Sequence, residues 1–223
     1  MLKAVIFDFD YTLGDTTDGI VLSVNYALEK LGFGGRAEAD IRKTVGLSLK
    51  DTFIALTGVE NEEQAEAFAK HFREQADLVM VESAKLYADT KEVLQRLKKD
   101  GYKISIVTTK FRYRIEHILD KFDASHFVDL IVGAEDVKME KPSPEGLLFA
   151  IDSFKLEKDE ILYVGDSIVD AKTAENAQAV FAGVLTGTTT ADEFKRYRNV
   201  FIGERLMDVY NFIVNREYET GST

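Results

Sequence analysis

The stretch AVIFDFDYTLGDT, residues 4–16, decides how the rest of the chain is read. Four apolar residues, Ala4 to Phe7, run straight into Asp8 and Asp10 and then into Thr-Leu-Gly. An apolar run without alternation suits a strand buried on both faces, as in a parallel sheet. Carboxylates at i and i+2 on an extended segment project from the same face. At about 4 Å and an effective dielectric near 20, two such charges repel by roughly 4 kcal/mol. A metal ion, a proton held on one acid, or splaying into water must relieve that repulsion.

Other runs share this character: KISIV (103–107), VDLIV (128–132), ILYV (161–164) and AVFAGV (179–184). Helical patterns lie between them. In TKEVLQRLKKDG (90–101), Val93, Leu94 and Leu97 form an apolar stripe and Gly101 stands where a helix cap is expected. Strands alternating with helices predict an α/β fold with a Rossmann-like, doubly wound parallel sheet. The span from 15 to 84 departs from this pattern and contains no convincing strand. Ile20, Val24, Ala27, Leu28 and Leu31 recur at helical spacing before Gly32, and Ala65, Phe68, Ala69, Phe72 and Ala76 form a second long helical stripe. The expected organisation is a core of residues 1–14 and 85–223 with a small all-α cap, residues 15–84, inserted after the first strand. The polar tail REYETGST (216–223) is expected to fray.

The totals narrow the function. With 223 residues, 45% of them hydrophobic, the chain can bury a sizeable core. A net charge of −11 opposes binding to nucleic acid or to an anionic membrane, so any anionic substrate needs local cations. The absence of cysteine removes disulfides, thiolate zinc sites and thiol nucleophiles. The N-terminal apolar run is too short and too quickly acidic for a signal peptide, and no apolar run is long enough to span a bilayer, so the expected location is cytoplasmic.

In an open parallel sheet, ligands bind beyond the carboxyl ends of the strands. There the sequence places Asp8 and Asp10 after the first run and Thr108, Thr109 and Lys110 after the second. Lys141 stands before Pro142 in GAEDVKMEKPSPEG, and Gly165, Asp166 and Ser167, with Asp170 beyond them, follow ILYV. Singly, each has an ordinary reading: a strand-end acid, a helix cap, a surface lysine. Jointly they suit phosphoryl transfer, in which one carboxylate attacks phosphorus and a second protonates the leaving oxygen and then activates water. The other carboxylates suit Mg²⁺, which prefers oxygen ligands, while Thr and Lys suit phosphate oxygens.

DFDYT, the Thr after the second buried strand, the Lys-Pro pair and GDSIVD together resemble the four ordered motifs of the haloacid dehalogenase-like hydrolase superfamily, over residues 8–170. The helical insert resembles the cap of the branch containing phosphoglycolate phosphatases and β-phosphoglucomutases. The resemblance implies that Asp8 is the nucleophile forming an aspartyl phosphate and Asp10 the general acid and base. It also implies that Asp8, the Asp10 backbone carbonyl, Asp166 and Asp170 hold Mg²⁺, the last directly or through water. Thr108 and Lys141 would hold the phosphoryl group, with backbone amides near Phe9 and Thr109. Tyr11 departs from the pattern, standing where the family most often has glycine, and a bulky ring there argues against a large substrate.

The expected activity is a Mg²⁺-dependent phosphatase acting on a small phosphorylated metabolite such as phosphoglycolate or a sugar phosphate, as a monomer or homodimer. A phosphomutase of the β-phosphoglucomutase type is the neighbouring alternative. A phospho-accepting signalling module is a third, opposed by Asp10 and by the helical insert. In the cap, Arg42, Lys43, Thr44, Ser48 and Lys50 surround Gly46 and are candidates for reading the organic part of the substrate, or are a solvated basic loop. Lys110 lies near the phosphate or is exposed. His71, His117 and His126 lack metal-ligand spacing and read as ordinary surface or packing residues.

Overall fold

In the computed structural model, which describes residues 1–220, the unbroken apolar runs become strands of one sheet. The strands are β1 (Ala4–Phe7), β2 (Gly14–Asp15), β3 (Lys85–Leu86), β4 (Lys103–Val107), β5 (Leu130–Val132), β6 (Ile161–Gly165), β7 (Val180–Val184) and β8 (Phe201–Gly203). The helices are α1 (Thr17–Lys30), α2 (Glu38–Arg42), α3 (Leu49–Thr57), α4 (Glu62–Ser83), α5 (Thr90–Lys99), α6 (Arg112–Lys121), α7 (Glu145–Phe154), α8 (Ile168–Ala177), α9 (Ala191–Phe194) and α10 (Leu206–Thr220). The chain divides into two units, Asp15–Lys85 and the remainder, with Lys85 falling in the helical unit.

The larger unit carries a parallel sheet in the order β5-β4-β1-β6-β7-β8. From β1 the chain moves outward to β4 and β5, then returns to β6 on the other side of β1. The strand order therefore reverses at β1, the place where a doubly wound sheet opens a crevice at its carboxyl edge. This is the fold class the alternation of strands and helices predicts. Strands β1 and β6 are buried along their whole length, which accounts for the lack of polar alternation in AVIF and ILYVG. Against one face of the sheet pack Leu147, Ala150 and Ile151 of α7 and Ala171, Ala174 and Ala177 of α8, in a cluster with Ile6, Tyr163, Phe181 and Phe194. Small residues on α8 let the helix backbone sit close to the strands.

The smaller unit is helical, apart from single residues of the two-residue strands β2 and β3. Ile20, Val24, Ala27 and Leu28 of α1 and Phe68, Ala69, Phe72, Ala76 and Met80 of α4 are buried at helical spacing. Gly19 is required by the closeness of these helices, since an added Cβ would lie 2.6 Å from Ser83 Oγ and 3.1 Å from the Met80 backbone. Side-chain caps define the helix starts: Ser48 accepts from the Asp51 N–H for α3, and Asn61 from the Gln64 N–H for α4.

Three local expectations are revised. Strand β5 begins at Leu130 rather than Val128, because the Asp129 carboxylate accepts the Ile104 N–H at 2.8 Å and pairs with Lys98. The short β8, too brief to carry a pattern of its own, adds an edge strand. Helix α10 continues through Thr220, so the tail expected to fray is helical from Arg216 to Thr220, and its last three residues lie outside the described residues. Among the described residues no helix is long and apolar enough to cross a membrane.

Phe181 is buried between the Tyr163 and Phe194 rings, with centroids 6.2 and 5.8 Å away. Replacing Phe181 with Ala is expected to cost about 3–5 kcal/mol of unfolding free energy by urea denaturation. A loss below about 1 kcal/mol would contradict this placement in the core.

Candidate active site

The strand register gathers the acids. Phe7 pairs with Ile106 on one side and Val164 on the other, so Asp8 falls level with the ends of β4 and β6. The ladder runs one residue further on each side: the Asp8 N–H donates to Val164 O at 2.9 Å and the Thr108 N–H to Val132 O at 3.0 Å. Beyond Asp8 the chain turns tightly. Phe9 is buried and its carbonyl accepts from Leu13 and Gly14, while Tyr11 sits at φ 57° and its N–H donates to Gly14 O at 2.8 Å. A left-handed tyrosine costs roughly 1–2 kcal/mol, a cost that the glycine expected at this position would not carry.

Asp8, Asp10, Thr108, Lys110, Lys141, Asp166 and Asp170 are all buried. Lys141 binds them into a network. Its ammonium donates to Asp8 Oδ1 at 2.7 Å, to Asp170 Oδ1 at 2.7 Å and to Tyr163 Oη at 3.4 Å, using its three donors. Burial works against this charge, but Asp170 and Asp8 more than offset it and hold the Lys141 ammonium well above the ordinary lysine range. The Tyr163 hydroxyl also donates to Asp170 Oδ1 at 2.8 Å.

Asp170 Oδ2 accepts from the Ser167 hydroxyl at 2.6 Å and the Ser167 N–H at 3.2 Å, closing a capping box at the start of α8. Each Asp170 oxygen thus already takes two donors. It acts here as the anchor of Lys141, and a cation bound directly to it would have to displace one of those donors. Glycine permits the approach, since a Cβ on Gly165 would lie 2.4 Å from that of Asp170.

Asp166 accepts from the Thr12 hydroxyl at 3.3 Å, and Gly187 lies so near that an added Cβ would fall 1.8 Å from Asp166 Oδ2. Oxygens of Asp8, Asp166 and Asp170 lie within 4.8 Å of one another. Four buried carboxylates against two ammonium groups leave two negative charges unbalanced, and an all-oxygen donor set with that excess fits a hard divalent cation. Without one, protons take its place. Burial raises the Asp8 carboxyl from 3.8 to about 7; Lys141 lowers it, and Asp170 and Asp10 add to the rise. Burial, then Asp170 and Asp8, push Asp166 well above its usual value.

Across the crevice, Lys110 pairs with Asp10 Oδ2 at 2.7 Å, and its backbone N–H donates to Thr108 Oγ1 at 3.2 Å. Of the two placements open for Lys110 in the sequence, the structure gives the buried one. Thr109, half-buried, follows Thr108 in the same turn. Tyr163 and Thr12 were not singled out by motif reasoning; the available signals were a lone hydroxyl in an apolar strand and a Thr two residues past Asp10. The helical-unit candidates are engaged locally: Arg42 lies near Glu38 and Thr17, Lys43 pairs with Asp40, Thr44 donates to Ile41 O, and Lys50 pairs with Glu62. His71 pairs with Glu74, while His117 and His126 are exposed.

Comparison with known proteins follows the same lines. The family model for haloacid dehalogenase-like hydrolases matches residues 5–184. The chain is 30% identical over 208 residues to the pyrophosphatase PpaX of Bacillus velezensis, covering 93% of this chain and 94% of that protein. A solved structure from Bacteroides fragilis, described as a haloacid dehalogenase-like hydrolase, superposes with a TM-score of 0.91 at 41% identity, covering 94% of this chain and all of that one. A structure from Clostridium acetobutylicum described as a phosphatase gives a TM-score of 0.89 at 25% identity over 96% of this chain and 99% of that one.

Two outcomes follow from the site's electrostatics. A raised carboxyl pKa means that the unfolded chain loses its Asp8 proton first as pH rises, so native stability falls between about pH 4 and about pH 7 and then levels. In chelator, Asp8→Asn removes that fall, so the stability difference between mutant and wild type moves by about 4 kcal/mol in the mutant's favour between about pH 4 and about pH 7 in denaturation titrations. A pH-independent difference would contradict the burial of Asp8. Gly187→Ala, by displacing Asp166, is expected to weaken binding of a divalent cation about tenfold or more by calorimetry, and unchanged affinity would remove Asp166 from the cation site.

Proposed function

The chain belongs to the haloacid dehalogenase-like hydrolase family, and on that premise we propose that it is a Mg²⁺-dependent phosphatase that hydrolyses small phosphate esters through an aspartyl-phosphate intermediate. That the protein is a hydrolase, and a phosphatase of this family, rests on the family match and its phosphatase relatives. The single observation that carries the finer reading is the pairing of two buried aspartates with two buried lysines at the strand-order reversal: Asp8 with Lys141, Asp10 with Lys110.

In this reading, Asp8 Oδ attacks phosphorus, the ester P–O bond breaks, and the leaving oxygen takes a proton from Asp10. Asp10, now a carboxylate, accepts a proton from water as that water attacks the aspartyl phosphate. Orthophosphate leaves and Asp8 is regenerated. Lys141 supports the first step by favouring the ionised, nucleophilic form of Asp8, which burial alone disfavours. Thr108, whose oxygen already accepts from Lys110, keeps its hydroxyl proton as a donor for a phosphoryl oxygen. Asp8 and Asp166 would hold Mg²⁺, which supplies charge neutralisation between the carboxylates and the phosphoryl group. The proposed substrate is a small phosphorylated metabolite, and the name of the Bacillus relative brings inorganic pyrophosphate into the same test.

Phosphate release from a panel of phosphomonoesters and pyrophosphate, with Mg²⁺ or with chelator, tests this. Chelator is expected to abolish release, Asp8→Asn to lower kcat at least about 10³-fold, and Asp10→Asn about 10²- to 10⁴-fold. Release that survives chelation, or survives Asp8→Asn, would overturn the mechanism. Conversion of a sugar phosphate to its isomer without net release would move the protein to the phosphomutases.

A further inference from the structure

The two buried lysines differ in one respect. Lys141 has acceptors for all three of its N–H donors, namely Asp8, Asp170 and Tyr163. The Lys110 ammonium, whose side chain is 9% exposed, has one acceptor among the described residues, Asp10 Oδ2 at 2.7 Å. An ammonium has three donors, so two remain to be satisfied in a buried place. Buried donors left unmet are costly, and a buried cation more so. The position is also built rather than incidental: the Lys110 N–H donates to Thr108 Oγ1 and its carbonyl accepts from the Ala134 N–H at 2.9 Å, fixing the backbone on both sides.

These unmet donors point to an anionic ligand atom beside Asp10. Resting on the reading of Asp10 as the acid that protonates the leaving oxygen, we infer that Lys110 reads negative charge on the leaving group and so determines specificity. With Lys110 2.7 Å from Asp10 Oδ2, an oxygen hydrogen-bonded to the Asp10 carboxyl lies about 5 Å from the Lys110 ammonium if it shares that oxygen and up to about 7 Å if it bonds the other. At that range a fixed buried cation favours a leaving group carrying a carboxylate or phosphate close to the scissile oxygen over a neutral alcohol. The site thereby divides its cations: Lys141 serves the nucleophile, and Lys110 the departing group. It also gives an acidic protein, with net charge −11, a local means of accepting a substrate that is anionic at both ends.

The test compares kcat/KM for phosphoglycolate, 2-hydroxyethyl phosphate and inorganic pyrophosphate, all with Mg²⁺. The first two are matched in size and differ in the charge of the leaving group. The pyrophosphate arm separates a phosphate leaving group from a carboxylate one. The wild type is expected to favour at least one anionic leaving group over the neutral one. In Lys110→Met that preference should fall about 10²-fold, while Lys110→Arg, which keeps the charge, retains most of it. An unchanged ratio in Lys110→Met, from equal losses on all substrates, would overturn the inference and assign Lys110 to the transferred phosphoryl group or to positioning Asp10. Should Lys110→Met fail to fold, Lys110→Gln gives the same comparison, and a wild-type ratio of one or below overturns the inference unaided. Failure of the phosphatase reading itself would look different, with no phosphate released from any of the three.

Discussion

The site depends on one buried ammonium. Lys141 stands between Asp8 and Asp170 at 2.7 Å from each, and without it two buried carboxylates would face each other uncompensated. Removing one partner of a buried ion pair leaves an uncompensated charge and typically costs 3–5 kcal/mol. The pull on Lys141 comes from residues on two strands and a helix start, so the same contact that favours ionised Asp8 also ties β1 to the β6–α8 turn. Asp170 is the fixed end of that tie, because its other oxygen is held by the Ser167 capping box.

Backbone geometry makes such a concentration of charge possible. The parallel register brings the ends of β1, β4 and β6 level, and the strand-order reversal leaves the space beyond them open. Gly165 and Gly187 then let Asp170 and Asp166 sit against main chain where any side chain would displace them. Tyr11 shows the opposite compromise, accepting a left-handed conformation in the turn that carries Asp10. Strain at such a turn persists only where the surrounding structure enforces it. Here the Gly14 carbonyl and the Thr186 hydroxyl hold the Tyr11 backbone on its two sides.

Much of this was legible in the sequence because parallel strands buried on both faces cannot alternate. AVIF, KISIV, ILYV and AVFAGV therefore declared themselves, and the residues after them became candidates by position alone. What was not legible was the division of labour among those residues. Ser167 and Asp170 carry the S-x-x-D spacing of a capping box, yet only the structure shows that Asp170, which stands with Asp8 and Asp166 in the carboxylate cluster, also anchors Lys141 and caps α8. Lys110 could lie in or out, since a lysine one residue past a strand-end turn has no periodicity to fix its side. Tyr163 was hidden inside an apolar run, where its ring satisfies the core and its hydroxyl serves the site. A predicted strand starts late, after Asp129, because that side chain takes a backbone hydrogen bond from Ile104.

The proposed mechanism requires a covalent bond between Asp8 and phosphorus. It is tested most directly by acid-quenching the enzyme during turnover and mapping phosphorylated peptides by mass spectrometry, using Asp10→Asn to slow breakdown of the intermediate. The expected result is a phosphoryl group on Asp8 that disappears when Asp8 is replaced. Phosphate release with no phosphoryl group on Asp8 in either enzyme, or with the group on another residue, would contradict it.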